Sequence, residues 1–79
     1  MTDREIVEKA KAFMDKEVVD ARKMRDWEWC KNPEDYQKYK KTAQAWVCSV
    51  CMFTQTLVKG YGDELVAYAD KCRDEIENL

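Results

Sequence analysis

The sequence predicts an all-α fold: an antiparallel three-helix bundle with a long helix 1–helix 2 hairpin and a shorter third helix, in a single domain over residues 1–79. Three observations carry that expectation. Apolar residues recur at three-to-four spacing in three segments. Only two Gly and one Pro interrupt the chain. Those breakers, together with Asn32 and Asp63, fall between the apolar segments, where helix starts and stops belong.

Thr2 followed by Glu5 is a capping-box pattern, in which the hydroxyl accepts from a free amide of the first helical turn. Helix 1 is therefore expected over about residues 3–30. Its stripe reads Ile6, Ala10, Phe13, Val18, Ala21, Met24 and Trp27, widened by Val7 and Met14. Asn32-Pro33-Glu34-Asp35 restarts the chain, since Asn suits the N-cap, Pro the first helical position, and acids the positive helix end. Helix 2, over about 33–59, places Tyr36, Tyr39, Ala43, Trp46 or Val47, Val50, Phe53 and Leu57 at core spacing. Gly60-Tyr61-Gly62 ends it by supplying left-handed conformations, and Asp63 is positioned to cap the next helix. Helix 3, over about 63–78, aligns Leu65, Ala69, Cys72, Ile76 and Leu79, with Val66 and Tyr68 beside them.

Residues 42–58, TAQAWVCSVCMFTQTLV, contain no charged side chain although 38% of the chain is charged. Two Gln, one Ser and three Thr make this run too polar for a membrane span, which needs roughly 20 mainly apolar residues. Counting along the helices from turns near residues 32 and 61 puts helix 3 opposite about residues 43–57. The uncharged run is then expected to be buried between helices 1 and 3. By the same count, the aromatic tip around Trp27, Trp29, Tyr36 and Tyr39 extends past the end of helix 3.

Composition narrows the function classes. A chain of 79 residues supports a single small core worth about 3–5 kcal/mol, so a homodimer is expected, formed through the uncovered part of the hairpin as a four-helix arrangement. Met1 leads into TDREIVEKAK rather than an apolar stretch, so a cytoplasmic setting and thiol rather than disulfide cysteines are expected. The net charge of -2 is unevenly spread, and residues 60–79 hold six acids against two bases. Without His, without a Gly-rich phosphate loop, and with carboxylates interleaved among Lys and Arg, the pattern points away from an enzyme.

Cys48 and Cys51 form a C-x-x-C in mid-helix, and the helix count brings Cys72 level with them. Mid-helix placement is wrong for thioredoxin chemistry, and Cys30 lies about 20 Å away, too far to complete a four-Cys zinc site. These cysteines are expected to be small buried apolar residues, with no cofactor and no metal; a disulfide from Cys72 to Cys48 or Cys51, or a small-ligand or metal site on Cys48, Cys51 and Cys72, is the alternative. Trp27 and Trp29 point about 200° apart on a helix, so one core cannot take both unless helix 1 ends between them.

The leading expectation is a small protein-binding regulator or inhibitor, of a size often carried by phages and mobile elements. Its contact residues are expected at the tip, on Trp27, Trp29, Tyr36 and Tyr39, aromatics of the type that dominate interface energies. A second surface is the acidic side of helix 3, Asp63, Glu64, Asp70, Asp74, Glu75 and Glu77, suited to occupying a basic nucleic-acid-binding groove on a partner. The competing class binds DNA or RNA directly through Lys23, Arg25, Lys38, Lys40 and Lys41.

Overall fold

A computed structural model describes residues 2–26 and 33–79, except the side chain of Pro33. Helix α1 (Asp3–Asp26), α2 (Pro33–Leu57) and α3 (Gly62–Glu77) pack on one another as an elongated bundle of 42 × 17 × 16 Å. The expected continuation of helix 1 over residues 27–30, Trp27, Trp29 and the Asn32 cap all lie outside the described residues.

Contacts between side chains fix the directions. On α2 and α3, Lys40 Nζ donates to the Glu77 carbonyl at 2.9 Å, Gln44 Nε2 to the Arg73 carbonyl at 3.2 Å, and Gln55 lies against Gly62, so these helices run antiparallel. Arg4 meets Glu64 and Asp15 meets Tyr68, so α1 and α3 run parallel. Tyr39 shares a groove with Asp20 and Met24, which closes the antiparallel hairpin.

Local chemistry accounts for the ends. The Glu5 amide donates to Thr2 Oγ1 at 3.2 Å, as the capping pattern predicts. At the second turn only Gly60 adopts a positive φ, +89°, where a side chain would be strained. Tyr61 occupies the N-cap of α3 without a side-chain cap bond. Asp63 thus falls inside the first turn, where its charge favours the helix dipole but its carboxylate does not cap.

The core consists of Val7, Ala10, Met14, Val18 and Ala21 from α1, Ala43, Val47 and Cys51 from α2 with Val58 just beyond it, and Leu65, Ala69, Cys72 and Ile76 from α3. The α3 stripe is the expected one. On α1 and α2 the expected Ala10, Val18, Ala21, Ala43 and Val47 are buried, but at other turns the buried position is one residue later than expected. Val7 and Met14 are fully buried while Ile6 is half-buried and Phe13 exposed; of the pair Trp46 and Val47, the core takes Val47, and Phe53 and Leu57 are exposed. The uncharged run is therefore covered on one side only. The reason is geometric: a helix in a three-helix bundle touches two neighbours that lie within one arc of its surface. Small side chains (Ala10, Ala21, Ala43, Cys51) let that arc close tightly and narrow what it covers.

Candidate functional site

Residue by residue, α2 carries two apolar stripes: Trp46 precedes Val47, Val50 precedes Cys51, Phe53 precedes the buried Thr54, and Leu57 precedes Val58. A step of one residue turns about 100° around a helix. On α2 that backward step leads away from α3, because the residues reaching α3 (Gln44, Gln55) lie on the opposite flank. On α1 the same step takes Val7 to Ile6 and Met14 to Phe13, again away from the α3-facing Lys11 and Asp15. Both second stripes consequently line one surface, the side of the hairpin that α3 does not touch.

That surface is apolar and open. Phe53 is 65% exposed, Leu57 55%, Trp46 54% and Phe13 42%, with half-buried Ile6 and Val50 beneath and between them. Three threonines of the uncharged run bond to their own helix. The hydroxyls of Thr42, Thr54 and Thr56 donate to the carbonyls of Lys38, Val50 and Phe53 at 3.0, 2.7 and 2.6 Å, so the run presents fewer unmet hydrogen bonds than its composition suggests.

Toward the interhelical turn the surface becomes acidic. Asp20, Lys23, Met24 and Tyr39 line a shallow groove of about 220 Å³. Burial, and then the Asp20 charge, push the Glu17 carboxyl above its ordinary range; burial, followed by Asp20 and Glu17, likewise raises the Tyr39 phenol. An arrangement of this kind favours burial against another surface and supplies no nucleophile paired with a base.

The residues singled out by sequence are dispersed. Trp27 and Trp29 lie outside the described residues. Tyr36 is half-buried with Lys40 Nζ 5.7 Å from its ring centroid, and Tyr39 is half-buried at the acidic end of the hairpin face. Glu64 is engaged by Arg4 Nη1 at 2.8 Å and Lys11 Nζ at 3.4 Å, and the Arg4 hydrogen bond chiefly holds its carboxyl below the usual range. Asp70, Asp74 and Glu77 share an open groove with Gln44 and Arg73, where Gln44 donates to Glu77 Oε2 at 2.9 Å. Glu75 sits toward Tyr68 and Cys72, and Asp63 stands exposed at the far end of α3. The six acids thus divide among separate flanks.

Of the basic candidates, Lys40 is buried against the last turn of α3 and Arg25 is paired with Asp26 at 2.9 Å, leaving Lys23, Lys38 and Lys41 exposed. Cys51 and Cys72 are buried and Cys48 half-buried, all three as free thiols. Gln55 Nε2 donates to Cys51 Sγ at 3.2 Å, and Cys72 Sγ lies 4.0 Å from Asp15 Oδ1. Among the described residues no group of three or more Cys, Asp or Glu is arranged to hold a metal ion, and no helix is long and apolar enough to cross a membrane.

Phe53, Leu57 and Phe13 are the surface residues that spacing alone assigned to the core, and Trp46 the one it left as an alternative to Val47. A signal for them exists in the sequence: at Trp46-Val47, Val50-Cys51, Phe53-Thr54 and Leu57-Val58, successive turns of one helix carry non-charged neighbours over an arc wider than one bundle seam. No family model matches the chain, and no similar curated protein or solved structure was found.

Proposed function

We propose that this chain is a protein-binding module with no chemistry of its own, a small regulator or inhibitor that acts by covering a partner through the α1–α2 face. One observation supports this above the others: Trp46, Phe53 and Leu57 stand exposed on a run of helix that carries no charge, with Phe13 beside them. Large exposed apolar patches of this kind mark docking sites, and Trp and Phe bury the most area per side chain. A cytoplasmic setting suits the free thiols of Cys48, Cys51 and Cys72.

The acidic α3 flank, divided as it is, serves this reading as a solvated outer surface. A photo-crosslinking amino acid at position 53, compared with one at Arg22 on exposed α1, tests the proposal in cells that make the protein. Position 53 is expected to capture a discrete protein and position 22 none. Absence of any protein adduct at 53 would refute the reading.

A further inference from the structure

We infer that the occupant of the α1–α2 face is a second copy of this chain, related by a two-fold axis crossing the hairpin near Phe13 and Ser49, so that α2 lies antiparallel on α2 and α1 antiparallel on α1. The inference rests on the reading of that face as a docking surface and names what docks there.

The α2 seam itself is the first reason. Trp46, Val50, Phe53 and Leu57 are spaced by four, three and four residues, the alternation with which one helix packs along another. Reversed about Ser49 and Val50, the seam meets itself: Trp46 faces Phe53 of the second copy and Leu57 faces Thr42. An uncharged seam needs an uncharged partner over the same length, because a charge buried against it would lose water without compensation. Residues 42–58 of a second copy meet that requirement.

The charges of α1 are the second reason. Tyr39 beside Asp20 and Met24 sets the hairpin register, which puts Phe13 about level with residues 47–50 and hence at the same axis. Lys9 stands four residues before Phe13 and Glu17 four after it, and neither takes part in an ion pair among the described residues. Antiparallel α1 helices crossing at Phe13 bring Lys9 level with Glu17 of the second copy, twice per dimer. The other isologous stacking, with the axis along the bundle, lays α1 on α2 and brings Glu17 level with about residue 44, inside the uncharged run. Matching like surface to like instead sets Glu17 opposite Lys9.

The area is adequate. Side chains of Trp46, Phe53 and Phe13 offer about 150–250 Å² each, and roughly half of that is free. With Leu57, Val50, Ile6 and the polar rims, the face approaches the ~800 Å² per partner of a standard interface.

Sedimentation equilibrium of the full chain under reducing conditions, from about 5 to 500 µM, tests the pairing. A species of twice the 9.4 kDa chain mass is expected. Phe53→Asp and, independently, Trp46→Glu should each weaken it about 30-fold or more while circular dichroism keeps its helical signal. Glu17→Lys should weaken it several-fold, and adding Lys9→Glu should restore it. With Cys30 and Cys48 replaced by Ser, Ser49→Cys should join two chains through a short bismaleimide and Thr42→Cys should not.

A chain that stays monomeric to 500 µM overturns the inference. So does a dimer indifferent to both apolar substitutions, or one that crosslinks equally at positions 42 and 49. The two readings fail separately: a monomer in the centrifuge whose position 53 still captures a different protein in cells sinks self-pairing alone, whereas no capture at position 53 sinks the docking surface itself.

Discussion

Tyr68 and Cys72 converge on Asp15 at the α1–α3 seam. The Tyr68 hydroxyl donates to Asp15 Oδ1 at 2.6 Å, and that bond, with burial, pushes the phenol far above its ordinary value of 10.0. Because the folded state holds this proton more tightly than the unfolded chain, the bond's contribution is fully present below about pH 10 and is lost progressively as pH rises above it. Tyr68→Phe should therefore lower stability by about 1 kcal/mol in neutral denaturant titrations, with the gap to wild type closing only in strong alkali. Burial, and then the Asp15 charge, push the Cys72 thiol up to about 11, which keeps it protonated. Iodoacetamide at pH 8 followed by peptide mass mapping should label half-buried Cys48 well before Cys51 and Cys72; equal labelling of the three would contradict their placement.

At the scale of the helices, two leucines eight residues apart separate folding from docking. Leu65 is fully buried in the α3 stripe, so Leu65→Ala should cost about 2–5 kcal/mol in chemical denaturation. Leu57 projects from the hairpin face, so Leu57→Ala in dilute, monomeric protein should cost less than about 1 kcal/mol. A comparable loss for both would place Leu57 in the core after all. The sequence already contained the buried stripe of α3, though not its cap, because Leu65, Ala69, Cys72 and Ile76 form a single stripe with one way to face inward. It contained the existence of α1 and α2 and their direction, through the Thr2 cap, Pro33 and Gly60. It could not fix their rotation. Ile6-Phe13 and Val7-Met14, or Trp46-Phe53 and Val47-Thr54, satisfy helical spacing equally, and the choice falls to how closely Ala10, Ala21, Ala43 and Cys51 let the helices approach. For the same reason spacing places Phe13, Phe53 and Leu57 in the core and leaves the tip as the aromatic surface.

For the whole molecule, a core of mostly small buried residues leaves a modest margin of stability, and association through the hairpin face would add to it by mass action. The melting temperature of the wild type should rise with protein concentration over two decades, whereas that of Phe53→Asp should not; parallel curves would show that the face adds nothing to the fold. The pairing of neighbours along α2 has a further consequence for how such a chain varies. Val47, Cys51 and Val58 answer to folding, while Trp46, Val50 and Leu57, each one residue earlier, and Phe53 with them answer to whatever they meet. In a library sorted for protease resistance at high dilution, polar residues should spread freely through the second set and be purged from the first. Folding and recognition are then written in the same helix as two interleaved messages, and drift can erase the second while every copy still folds.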